Sequence, residues 1–142
     1  MRRGTRIALA ATAAAMLAFG GGAAASAAPA IPVNNGQETT GAEGGAHGFF
    51  TYRIDGDQFC YTLKVRDLTV PATAAHIHVG PQGTAGPVVI PLIVPAATDF
   101  ETSGCATADE GLLSAIESDP RAYYVNVHTA TYTGGEVRGQ LK

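Results

Sequence analysis

The stretch AHGFFTYRIDGDQFCYTLKVRDL, residues 46–68, constrains the fold more than any other part of the chain. Phe50, Tyr52 and Ile54 recur at every second residue, and so do Phe59, Tyr61, Leu63 and Val65. A period of two puts each set on one face of a strand, which a helix cannot do. The Asp55–Gly56 pair between them is the commonest short hairpin signal, so two antiparallel strands are predicted here.

The remainder repeats this grammar. TAAHIHVG and GPVVIPLIVP are two further β-rich runs joined by the Gly/Pro loop GPQGTAG, and Pro91 puts the second run at an edge or a bend, because proline cannot donate to a ladder. After Pro95 a polar link carries Cys105. TADEGLLSAIESDP then reads as one short helix near residues 108–118, with Thr107 and Glu110 as a capping box, Leu112, Leu113 and Ile116 as its apolar stripe and Pro120 as its stop. The last run, RAYYVNVHTATYTGGEVRGQLK, places Val125 with Val127 on one strand face and Val137 with Leu141 on another, around a turn at Thr131–Thr133. Residues 28–45, rich in Pro, Gly, Asn and Thr, read as an extended N-terminal arm able to add an edge strand, and the folded domain as residues 46–142. The class predicted is all-β, an antiparallel sandwich or barrel with one short helix.

Residues 1–27 carry an address. A basic start (Arg2, Arg3, Arg6), an Ala-rich apolar run and the small-residue sequence ASA ending at Ala27 form a secretory signal peptide, so the mature chain is expected outside the cell with no membrane span. Cleavage leaves six cationic residues against twelve acidic ones, a net charge of about −6, which disfavours nucleic acid as a partner. Cys60 and Cys105, the only two cysteines, then meet an oxidising compartment and are expected to pair.

Chemistry concentrates in the histidines. His76 and His78 in HIH point to one side of a strand, with Ile77 and Val79 on the other. Tyr124, Asn126 and His128 share one face of a later strand, and Glu136, Arg138 and Gln140 share one face of its partner. A register placing His128 near Glu136 and Asn126 near Arg138 lines these polar sets along one surface. Should the HIH strand lie beside the VNVH strand, three imidazoles converge, a donor set suited to copper or zinc, with Glu136 orienting a ligand histidine. The alternative is a polar seam of neutral histidines hydrogen-bonded to Asn126, Glu136 and backbone. Arg138 is read either as steering an anion to the metal or as pairing with Glu136 or Asp119. His47, in a Gly-rich stretch, reads as an exposed bystander. No serine sits on a nucleophile elbow, and Asp55, Asp57 and Asp67 read as turn and strand-end residues, so no catalytic constellation is identified.

AAHIHVGPQGTAGPVVIPL and DPRAYYVNVHTATYTGGEVRGQL, preceded by NNGQETTGAEGGAHGFFTYRIDGDQFCYTLKV, resemble the CHRD domain, a module named after chordin and found in many secreted microbial proteins. The resemblance implies a β-sandwich or barrel of undetermined biochemical activity, immunoglobulin-like or superoxide-dismutase-like in build. It does not bring growth-factor antagonism, since the cysteine-rich modules that carry it in chordin have no counterpart here. The function expected is a secreted, disulfide-stapled, non-enzymatic module that binds an unidentified protein or surface ligand or serves the cell envelope. The alternative is an extracellular copper- or zinc-binding protein using His76, His78 and His128. A superoxide-dismutase-like metalloenzyme is a weaker third reading, because that family's further ligands do not line up.

Overall fold

A computed structural model of the chain describes residues 29–142, and the signal peptide read over residues 1–27 lies outside the described residues. The described chain forms eight strands, β1 (Ile31–Asn34), β2 (His47–Asp55), β3 (Gln58–Arg66), β4 (Ala72–Val79), β5 (Val88–Leu92), β6 (Phe100–Thr107), β7 (Tyr123–Thr129) and β8 (Val137–Gln140), with one α-helix, α1 (Glu110–Ser118), between β6 and β7. All pairings are antiparallel, in the order β5-β4-β7-β8-β1-β2-β3-β6.

The sheet curls until its two edge strands approach. Across that seam the Tyr61 hydroxyl accepts from the Ile93 N–H at 2.8 Å and donates to the Ile93 carbonyl at 3.1 Å, so one side chain satisfies backbone groups that no ladder reaches. The architecture is a nearly closed antiparallel barrel or sandwich with one short helix, as the alternation predicts. Pro91 lies on β5, an edge strand, where its missing donor does least harm.

The enclosed face is apolar. Phe50, Phe59, Leu63, Ile77, Val125 and Val137 are completely buried there. Tyr52 stacks on Phe59 with ring centroids 5.1 Å apart. The β2–β3 hairpin turns at Gly56–Asp57, one residue beyond the expected pair. Gly56 has φ 60°, and a two-residue turn with positive φ at its first central position matches the right-handed twist of the strands it joins.

Four expectations are corrected. Residues 28–45 are not an arm beside the domain: β1 lies between β8 and β2, with Ile31 and Val33 buried in the core. Four residues with Pro32 among them look too short and too broken for an interior strand, but the Pro32 carbonyl is taken by the Gln37 side chain at 2.9 Å. The polar link around Cys105 is strand β6, which shows no apolar alternation because it is an edge on which only Phe100 is fully buried. The capping box fails because Thr107 is the last residue of β6. Asp109 caps α1 instead, its carboxylate accepting from the Leu112 N–H at 3.1 Å. Finally, the Glu136 side chain leaves the polar face, as described below.

Cys60 and Cys105 face each other across β3 and β6 and form a disulfide. It sits on the outer side of β3, between the inward-facing Phe59 and Tyr61, and ties the exposed edge strand to the interior of the sheet.

Candidate metal site

The outer face of β4 and β7 carries the histidines. β4 pairs with β7 so that His76 stands opposite Asn126, His78 opposite Tyr124 and Ala74 opposite His128. β8 adds Arg138 opposite Asn126 and Gln140 opposite Tyr124. The apolar partners on these strands take the core side, as alternation requires. Yet β7 is buried on both faces, because the 80–87 and 130–135 loops and the segment after β1 fold over its polar side.

Within that cover the three imidazoles meet. His76 Nδ1 lies 3.0 Å from His128 Nε2, and His78 Nε2 lies 3.4 Å from the same atom. One nitrogen from each ring falls in a set that closes within 4.8 Å. His78 and His128 are 7% and 8% exposed, while His76 is only half-buried, so the cluster opens to solvent on the His76 side.

The other nitrogens fix the rings. His78 Nδ1 lies 2.8 Å from the Gly86 carbonyl and His128 Nδ1 lies 3.0 Å from the Thr133 carbonyl. A carbonyl only accepts, so both Nδ1 atoms carry the proton, and both Nε2 lone pairs face the common point. Within the metal-free cluster His76 Nδ1–H then donates to His128 Nε2. Burial holds all three rings below the usual histidine range, His128 down to about 4; repulsion from neighbouring rings adds to it for His76 and His128 and the Arg138 charge for His78, against the opposing pull of the Gly86 and Thr133 carbonyls on the two buried rings. Neutral imidazoles with lone pairs converging on one point, each buried ring oriented by a backbone carbonyl, are what a metal ion requires.

The carbonyl on His78 is itself held. Gly86 donates its N–H to the Tyr124 hydroxyl at 3.0 Å, and a Cβ at this position would lie 1.6 Å from the Val79 carbonyl oxygen, so only glycine lets the loop approach. Tyr124 stacks on His78 with centroids 4.9 Å apart and planes 10° from parallel. The Arg138 guanidinium lies 3.4 Å over the same tyrosine ring. Arg138 is 1% exposed and donates to the carbonyls of Pro81 (2.8 Å) and Thr84 (2.9 Å) and to Gln140 Oε1 (3.1 Å). It pairs with neither Glu136 nor Asp119. Its role is to clamp the 80–87 loop that carries Gly86.

Glu136 does not orient a histidine. Its N–H bonds to the Val127 carbonyl at 2.8 Å although Val127 already stands opposite Val137, so two residues of one strand oppose one of the other. This bulge turns the carboxylate toward Thr69, whose N–H and hydroxyl donate at 2.7 and 3.0 Å, and Thr129, whose hydroxyl donates at 2.7 Å. Asn126 lies beside the cluster, its amide donating to Glu38 Oε1 at 2.7 Å. Its Oδ1 is buried and has no partner among the described residues. His47 stays apart on β2, exposed, with Nδ1 2.7 Å from the Gly45 carbonyl.

The sequence reading missed Glu38, Gly86 and Thr133. The two carbonyl groups carry no side-chain signal, and only their places in the loops following the HIH and VNVH strands mark them. Glu38 falls in the segment taken for an arm. Burial raises its carboxyl to about 7, against the opposing pull of the Thr39 backbone, Arg138 and Asn126.

Among the described residues no helix is long and apolar enough to cross a membrane. An intramolecular disulfide fits an extracellular protein. No curated protein and no solved structure matches the chain. The family model described as the CHRD domain matches residues 24–141, taking in β1 and the strands that carry HIH, VNVH and EVRGQ, and the chain therefore belongs to the CHRD domain family.

Proposed function

We propose that this protein is a secreted, disulfide-stabilised CHRD module that binds one copper or zinc ion through His76 Nδ1, His78 Nε2 and His128 Nε2, and that it acts by binding and not by catalysis. The observation that carries this reading is the convergence of three ring nitrogens, two of them held as lone-pair donors by backbone carbonyls on the opposite ring nitrogen. Two donor separations of 3.0 and 3.4 Å compare with roughly 3.3 Å between nitrogens bound tetrahedrally at about 2 Å from a metal. Tightening requires a small shift of the half-buried His76 ring and transfer of its proton to Nε2. Gly86 and Thr133 hold the buried pair in the ligating tautomer, and Arg138 and Tyr124 hold Gly86.

Metal analysis of the mature chain, purified without a histidine tag, tests this directly. One equivalent retained by the wild type and lost by a folded His78→Ala variant supports the reading. Absence of retained metal after loading and dialysis, with the histidines acting only as a hydrogen-bonded polar seam, overturns it.

A further inference from the structure

The charge around the cluster narrows the choice of ion. The ligand group is three neutral imidazoles with no carboxylate in it. The buried acid beside these strands, Glu136, is committed to Thr69 and Thr129, and the half-buried Glu38 to the Asn126 amide. The buried cation is Arg138, on the β8 side of Tyr124, while His78 stacks on that ring from the β4 side. Only the thickness of one aromatic ring separates the guanidinium from a ligand.

An ion entering this site loses water, meets no anionic ligand and feels a fixed positive charge. Desolvation cost scales with the square of the charge, so a dication meets a penalty roughly four times that of a monocation. Repulsion by Arg138 doubles as well. His128 Nε2 sits at 3.0 and 3.4 Å from the other two donors, while the set spans 4.8 Å, wider than a regular tetrahedron allows. That span also exceeds the roughly 4 Å between two nitrogens each about 2 Å from one ion, so the half-buried His76 ring must move inward for copper and zinc alike, and the choice of ion rests on charge.

We infer that the His76–His78–His128 cluster is built for copper in its monovalent state, with the buried Arg138 guanidinium behind Tyr124 as the charge that disfavours a divalent ion. This rests on the metal-binding reading above.

The test measures three affinities on the untagged mature chain: Cu(I), under anaerobic reducing conditions, against a chromophoric Cu(I) chelator, and Cu(II) and Zn(II) against chelators of their own. The expected result is Cu(I) held at least tenfold tighter than Cu(II), which places the midpoint of the bound couple at least about 59 mV above that of the free ions. Asn126→Asp, made together with Glu38→Gln so that the new carboxylate does not share a proton with Glu38, puts a negative charge on the neighbouring residue of the same face and is expected to shrink the Cu(I)/Cu(II) ratio at least tenfold. Equal or tighter binding of Cu(II), or binding of zinc alone, overturns the copper(I) inference and leaves the metal reading standing. Failure to bind any of the three ions overturns both. An unchanged ratio in the folded double variant overturns the electrostatic explanation.

Discussion

His76 Nδ1 lies 3.0 Å from His128 Nε2, although 52 residues of chain separate them. The contact exists because β4 and β7 are neighbours in the sheet and because alternation sends both rings to the outer face. A contact between two neutral imidazoles is satisfied by one shared proton, and the same geometry accepts a metal once that proton moves to the solvent-facing nitrogen of His76.

The Gly86 carbonyl is expected to matter as much as its position implies. Gly86→Ala would set a Cβ 1.6 Å from the Val79 carbonyl oxygen, so the 80–87 loop must lift and release His78 Nδ1. Loss of an outer partner of this kind typically weakens metal binding about 10- to 100-fold. Chelator competition on the variant checks the figure, and an unchanged affinity would mean that His78 does not depend on Gly86 for its orientation.

Arg138→Met removes the donors to Pro81, Thr84 and Gln140 while keeping much of the stem. Two carbonyls lose their partners, and a loss of about 2 kcal/mol in unfolding free energy is expected. Hydrogen exchange should accelerate in residues 80–87 well before it does in β7. Uniform acceleration through the sheet would show that the residue serves the core and not the loop.

Glu38 gives stability a distinctive pH dependence. Its folded-state carboxyl titrates near 7 and its unfolded one near 4.5, so between these values the folded state binds more protons. Its contribution is therefore complete below about 4.5 and is lost as pH rises through 7. Glu38→Gln, permanently neutral, should melt higher than the wild type at pH 8 and close to it at pH 4.5. His128 runs the other way: its folded-state value near 4, below the ordinary 6.5, gives stability present above 6.5 and lost as pH falls toward 4. Melting curves of the wild type and Glu38→Gln across this range separate the two, and equal melting temperatures at pH 8 would contradict the assignment for Glu38.

The disulfide closes a loop with a sequence separation of 45 residues. In the chain-entropy account its removal costs about 4 kcal/mol. The double variant Cys60→Ala/Cys105→Ala should show that loss in a denaturant titration. Protease sensitivity should appear first in β6, the edge strand that the bridge ties down. A loss below about 1 kcal/mol would indicate that pairing with β3 alone holds the edge.

The places where sequence and structure agree or part have physical causes. Strands buried on one face announce themselves by alternation, as Phe59, Tyr61, Leu63 and Val65 do, and the same rule aligned Tyr124, Asn126 and His128 correctly. β6 is silent because an exposed edge needs no apolar face, and β1 because Ile31 and Val33 are too few residues to display a period. Glu136 was misplaced by one bulge, since a single extra residue reverses the side a side chain takes. The convergence of the histidines followed from strand order, which alternation does not reveal. The carbonyls of Gly86 and Thr133 left no trace in residue type, because backbone groups are common to every residue.

X-ray absorption at the copper edge of the loaded, untagged protein tests the central claim most directly. The account predicts three imidazole nitrogens at about 2 Å, with the multiple-scattering signature of histidine rings, and loss of that shell in His128→Ala. A first shell of oxygen donors, or an imidazole shell that persists unchanged in His128→Ala, would contradict it.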